Sequence, residues 1–84
     1  MKVLFHNDAW EDYLYFQKND IKILEKINQL IKDISRSPFS GIGKPEPLKF
    51  SLSGYWSRRI NQEHRLVYTT KDNTIYIVQC KYHY

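Results

Sequence analysis

The stretch YWSRRINQEHRLVYTTKDNTIYIVQCKYHY, residues 55–84, decides the fold. It divides into three runs rich in β-branched and aromatic residues, YWSRRIN (55–61), HRLVYTT (64–70) and TIYIVQCKYHY (74–84), separated by short polar connections, the second of them the turn KDN (71–73). Residues of these types fit a pleated, half-buried surface, and sequential strands joined this tightly pair with their neighbours. The pattern predicts an antiparallel meander carried to the last residue.

Working back from the meander, the periodicity changes. Ile23, Leu24, Ile27, Leu30, Ile31 and Ile34 recur at spacings of three and four, with Lys22, Lys26, Lys32 and Asp33 on the other side. This predicts an amphipathic helix over 21–35, capped by Asp20 and ended by Ser37-Pro38. Before it, Asn7 offers an N-cap for a first helix through about Gln17, and KVLFH (2–6) is a short apolar run fit for a strand. The expected class is α+β, in the order β-α-α-β-β-β, with an antiparallel sheet packed on two N-terminal helices. The second face of that sheet is left open for basic side chains. Between helix and meander, residues 38–54 (PFSGIGKPEPLKFSLSG) hold all three glycines and all three prolines of the chain, a long loop of the kind that is functional or disordered.

At 84 residues the chain is read as a single domain, 1–84, with a modest core. Cys80 is the only cysteine, so no disulfide supports the fold, and it is expected to pack as a small hydrophobe. No apolar run is long enough for a signal peptide or a membrane span, which implies an intracellular, cytoplasmic protein with no membrane partner. The net charge of +4 is uneven: residues 1–43 balance six Lys/Arg against six Asp/Glu, whereas 44–84 hold seven against three. That second half also carries Tyr55, Trp56, Tyr68, Tyr76, Tyr82 and Tyr84. Cations interleaved with rings suit single-stranded nucleic acid, phosphates meeting charges and bases stacking on aromatics; solubility alone accounts for the same composition in many small basic domains.

Three features could carry chemistry. Glu46 lies in KPEPLK (44–49), stiffened by a proline on each side and flanked by Lys44 and Lys49, although a loop glutamate is ordinarily a solvated charge. Arg58, Arg59 and Arg65 cluster near one hairpin turn and suit bidentate phosphate contacts, or else pair structurally with Glu63 or Asp72. His83 stands beside the terminal carboxylate, as a surface residue or a working imidazole. Cys80 and His83 fall on opposite faces of a strand with no second Cys/His pair, so no metal site is expected. Trp10 and Trp56 read as packing, His6 and His64 have no evident partner, and GIGKPEP lacks the spacing of a phosphate loop. Together, Glu46, Arg65 and His83 are the parts that RNA cleavage by internal attack requires: a base for the ribose 2′-hydroxyl, a cation for the phosphate, an acid for the departing 5′-oxygen. No metal or other cofactor is needed. Sequence does not show that the three converge.

The segments DYLYFQKND, INQLIKDISRSPFSGIGKPEPLKFSLSGYWSRRINQEHRLVY and the terminal YHY closely resemble the YoeB toxins of bacterial type II toxin–antitoxin systems, within the RelE/ParE superfamily. GKPEPLK, SGYWSRRI, EHRLVY and YHY coincide in order and spacing, while the first strand and TTKDNTIYIVQ are less alike. The resemblance implies the small RelE-like fold and a ribosome-dependent endoribonuclease, an mRNA interferase that cuts messenger RNA in the A site of the 70S ribosome. It also implies silencing by a cognate YefM-type antitoxin and a homodimer. Carried over by position, the general base falls on Glu46, the phosphate-stabilising arginine on Arg65, the acid on His83 and the terminal aromatic on Tyr84. Lys44, Lys49 and Arg59 become RNA or ribosome contacts.

Two other classes compete. A ParE-like toxin that binds gyrase and cuts nothing would have no reason to assemble Glu46, Arg65 and His83. A plain RNA- or ribosome-binding module would gain nothing from a glutamate among lysines, since that charge weakens phosphate binding.

Overall fold

A single residue, Asp20, turns the chain from the first helix into the second. The computed structural model describes residues 1–82, with helix α1 at Asn7–Asn19 and helix α2 at Ile21–Arg36. The Asp20 N–H closes α1 on the Phe16 carbonyl at 2.8 Å, and its carboxylate accepts from the Ile23 N–H at 3.3 Å, satisfying an otherwise orphaned donor of α2. Asn7 is not the cap expected for α1. It is the first helical residue, and His6 takes the cap position without a side-chain bond, because the His6 N–H is still tied to the sheet through the Ile77 carbonyl at 2.9 Å.

The strands are β1 (Lys2–Phe5), β2 (Glu46–Pro47), β3 (Trp56–Arg59), β4 (Arg65–Lys71) and β5 (Thr74–Gln79), arranged in one sheet in the order β1-β5-β4-β3-β2. The β3-β4-β5 meander is antiparallel as expected. Its tight turn uses Asp72 and Asn73, both with positive φ, the conformation that matches a two-residue turn to strand twist. The sheet as a whole is mixed, because β1 runs parallel to β5, from Lys2↔Thr74 to Phe5↔Ile77. A parallel pair needs a crossover, and α1 with α2 supplies it.

Two boundaries differ from the sequence reading. The loop at 38–54 contains the two-residue strand β2, paired to β3 through Glu46↔Ser57 and Pro47↔Trp56, and a short 3₁₀ turn at Phe50–Leu52. Pro47 is tolerated because β2 is a sheet edge. The last strand stops at Gln79, short of the chain end.

The core lies between the helices and one sheet face. Ala9 and Phe16 of α1 and Leu24, Ile27, Leu30 and Ile34 of α2 meet Leu66, Tyr68, Ile75 and Ile77, with Cys80 fully buried beside them. Burial pushes the Cys80 thiol up to about 12, so it behaves as the packed hydrophobe expected.

Arg58 sits inside this structure with no exposed surface. It registers with Leu66 on the helix-facing side of β3, and all five guanidinium hydrogens find acceptors. Nε donates to the Tyr68 hydroxyl at 3.1 Å; Nη1 donates to Asp33 Oδ2 at 2.5 Å and the Ile42 carbonyl at 3.1 Å; Nη2 donates to the Ser37 and Ser40 carbonyls at 2.6 and 2.9 Å. The Tyr68 hydroxyl in turn donates to the Pro38 carbonyl at 2.6 Å. Arg58 is therefore no phosphate ligand, and its partner is Asp33 rather than Glu63 or Asp72. Asp33 leaves the solvated face of α2 because the loop after Ser37 folds back over the end of that helix, and the Ile42 N–H also reaches its carboxylate at 3.0 Å. Gly41, at φ +119°, is required here, since a Cβ would collide with Asp33 Oδ2.

Arg58→Lys would put three donors in place of five and strand several buried carbonyls. A loss on the order of 3 kcal/mol is expected in urea unfolding. The Arg58 guanidinium, helped by the Ile42 N–H, holds the Asp33 carboxyl below its ordinary 3.8. A depressed carboxyl stabilises the fold above its unfolded value and loses that contribution as pH falls through the native one. Thermal melts of Asp33→Asn should therefore fall less steeply than those of the parent below about pH 4, from a lower neutral starting point.

Candidate active site

The face of the sheet turned away from the helices is built by alternation. Strand residues point to opposite faces in turn, so with Trp56 and Arg58 directed at the core, Ser57 and Arg59 point the other way. Register carries this across the sheet: Glu46 pairs with Ser57, Ser57 with Val67 and Val67 with Gln79, while Arg59 pairs with Arg65 two rungs along. Glu46 and Arg65 thus stand on the same face two strands apart and two rungs offset, a Cα separation of roughly 12 Å from strand spacing and rise.

The face is less open than its charges imply. Ser57 and Val67 at its centre are 3% and 1% exposed, and Leu48 is also buried, none of them part of the helix-side core. Only the rim is accessible, and the rim carries the charge: Lys44, Glu46, Lys49 and Arg59 are exposed, and Arg65 is half-buried. None of these five forms an ion pair among the described residues. Glu46 is held by the ladder of β2 and by the Leu48 N–H bond to the Tyr55 carbonyl at 2.9 Å. Arg59 is fixed by its own N–H, which donates to the Gly43 carbonyl at 2.7 Å. Lys44 occupies a left-handed conformation at φ +52° between the two. An open groove lined by Glu46, Leu48, Lys49 and Phe50 runs beside the carboxylate.

Arg65 is seated by the turn before it. Asn61 Oδ1 accepts from the Glu63 and His64 N–H groups at 2.9 and 2.7 Å, shaping the turn so that the Asn61 and His64 carbonyls accept from Arg65 Nη1 at 2.7 and 3.1 Å. One edge of the guanidinium is pinned; the edge formed by Nε and Nη2 has no partner among the described residues and remains available to an anion. His83 and Tyr84 lie outside the described residues. The structure therefore brings Glu46, Arg65 and Arg59 to one face, with Lys44 and Lys49 at its margin.

Comparison with known proteins bears on the family. The model of the family described as "YoeB-like toxin of bacterial type II toxin-antitoxin system" matches residues 5–84. The chain belongs to that family. It is 63% identical to Toxin YoeB of Synechocystis sp. over 84 residues, covering 100% of this chain and 98% of the relative. Among solved structures, the heterotetrameric YoeB-YefM toxin-antitoxin complex from Staphylococcus aureus contains a chain with TM-score 0.94 and 59% identity, covering 100% of this chain and 98% of that one. A YoeB dimer from Staphylococcus aureus gives the same TM-score, 0.94, at 59% identity and the same coverage of 100% and 98%. As a member of the YoeB-like family, the chain is a toxin of a type II toxin–antitoxin system.

One residue that the sequence reading left without a role stands out against this background. His64 is 5% exposed, and its Nδ1 accepts from the Tyr82 N–H at 2.7 Å. The signal available in the sequence was its place beside Arg65: neighbours on a strand face opposite ways, so a rim arginine implies an inward histidine. Among the described residues no cluster of three or more His, Cys, Asp or Glu could hold a metal ion, and no helix is long and apolar enough to cross a membrane.

Proposed function

We propose that this chain is an mRNA interferase, a ribosome-dependent endoribonuclease that cuts translated messenger RNA in the A site of the 70S ribosome. Glu46 takes the proton from a ribose 2′-hydroxyl, and the freed oxygen attacks the adjacent phosphorus. Arg65 offers its free edge to the non-bridging oxygens as charge builds, with Arg59, Lys44 and Lys49 holding the flanking phosphates. His83 protonates the departing 5′-oxygen, and Tyr84 stacks on a base or orders that imidazole. The products are one strand ending in a 2′,3′-cyclic phosphate and another beginning with a 5′-hydroxyl. Base and acid act on the attacking and departing oxygens, on opposite sides of the phosphorus, so the mechanism needs no metal.

The observation that carries this reading is the register that puts Glu46 two rungs from Arg59 and Arg65 on a shared face. A carboxylate without an ion pair among the described residues, set in a basic rim, costs phosphate affinity. A binding module or a gyrase-directed toxin has no use for that cost, whereas a proton acceptor requires it. The Staphylococcus aureus complex and dimer support a YefM-type antitoxin and a homodimer as this chain's partners; the same reading takes residues 1–84 as one domain acting in the cytoplasm. An acidic antitoxin segment laid over the rim would be steered by the toxin's net charge of +4.

Glu46→Gln keeps the shape of the side chain and removes its basicity. On programmed ribosomes the single-turnover cleavage rate should fall ~10²-fold or more while ribosome binding is kept or strengthened. A variant that cuts at nearly the parent rate removes Glu46 from the mechanism.

A further inference from the structure

After Gln79 the chain leaves the β4 ladder, yet three residues later it is held tightly again. Continuing the pairing Val67↔Gln79 would bring the chain end alongside residues 64 and 65. There the Tyr82 carbonyl accepts from the Arg65 N–H at 3.0 Å, as a strand partner would, but the Tyr82 N–H finds His64 Nδ1 instead of a backbone carbonyl. The imidazole fills the place of the missing ladder acceptor. Tyr82 needs this hold, because its φ of +64° is left-handed, a conformation that costs energy for a non-glycine residue.

The imidazole is locked in turn. Because an N–H can only donate, Nδ1 must be the unprotonated nitrogen and the proton sits on Nε2, which lies 3.5 Å from Glu63 Oε1. The Phe16 ring packs edge-on at 5.1 Å between centroids, and the Tyr82 ring lies tilted to the imidazole at 5.5 Å. Other contacts also secure the segment, with Gln79 Nε2 donating to the Lys81 and Tyr82 carbonyls at 3.0 and 3.4 Å. The Cys80 N–H donates to Asp12 Oδ2 at 3.4 Å, and Lys81 Nζ lies 3.6 Å from the centre of the Tyr15 ring. Among the described residues the Tyr82 N–H is held by His64, and its carbonyl by the Arg65 N–H and Gln79 Nε2.

We infer that His64 is a positioning residue of the proposed reaction: its Nδ1 fixes the backbone of Tyr82, from which His83 and Tyr84 follow, and couples that segment to the residue before the phosphate-binding arginine. The inference rests on the reading of His83 as the acid. His64 touches no substrate; it acts through Tyr82.

The test compares the parent chain with His64→Leu, which keeps an apolar filler against Phe16 and removes the acceptor, and with His64→Asn, whose Oδ1 stands close to where Nδ1 was. Three readouts are taken: the single-turnover rate at saturating programmed ribosomes, the ribosome concentration at half-saturation, and hydrogen exchange of the Tyr82 amide by NMR, with thermal melting as a control. His64→Leu should lose ~10- to 100-fold in rate with half-saturation changed less than about threefold, since misplacing a reacting group costs rate rather than binding. Its Tyr82 amide should lose protection, and His64→Asn should restore both. Leu and Asn variants that lose rate equally, or a Leu variant that cuts normally, overturn the inference. Should the Leu variant not fold, the parent decides: a Tyr82 amide that exchanges as in an unstructured chain overturns the clamp. A parent chain that cuts nothing overturns the ribonuclease reading, and Tyr82 protection that is lost in His64→Leu and kept in His64→Asn still upholds the clamp.

Discussion

The buried guanidinium of Arg58 is the constraint on which the rest of the structure depends. Its charge is taken wholly out of water, which is tolerated only because Asp33 pairs with it and every donor is satisfied. The carbonyls of Ser37, Ser40 and Ile42 face inward and would be costly there without these donors. Arg58 and those carbonyls therefore require each other, and together they fasten a glycine- and proline-rich segment that has little core of its own. The fastening propagates. Gly43 ends the clamped segment with its carbonyl on the Arg59 N–H, and two residues on Pro45 leads into the edge strand that holds Glu46. A carboxylate that sequence places in a loop is thus delivered to a sheet position two strands from Arg65.

The sheet serves two purposes on its two faces. Toward the helices it makes an apolar core to which Arg58, Tyr68 and His64 bring buried polar groups. Away from them it makes a small buried centre of Leu48, Ser57 and Val67 ringed by charges. Such a rim has a fixed geometry because each of its main members is tied through backbone: Glu46 through β2, Arg59 through Gly43, Arg65 through Tyr82. Fixed charges of this kind lower the reorganisation required when charge develops on a phosphate.

Much of the framework could be read from residue types alone. The stripe from Ile23 to Ile34 made α2 plain, Asp20 announced its start, and the alternating aromatic and β-branched runs marked the meander. Features that depend on distant partners stayed hidden. Two residues are too few to signal β2, and only the crossover geometry reveals that β1 is parallel to β5. Asp33 looked solvated because a helical pattern cannot show that a later loop will cover it, and Arg58 looked like its neighbour Arg59 although alternation turns the two to opposite faces. Within the site, the prolines around Glu46 were a local signal and could be read; the role of His64 is a side chain replacing a backbone acceptor, which leaves no trace in spacing.

The central claim, that the rim cuts messenger RNA by internal attack on the ribosome, is tested most directly by the chemistry of the cut ends. A defined messenger RNA is incubated with the protein, with and without programmed 70S ribosomes, and both new ends are mapped and chemically identified. The account predicts cutting only on the ribosome, at the codon in the A site, leaving a 2′,3′-cyclic phosphate and a 5′-hydroxyl. Fragments ending in a 3′-hydroxyl and a 5′-phosphate, or intact messenger on ribosomes to which the protein is bound, would contradict it.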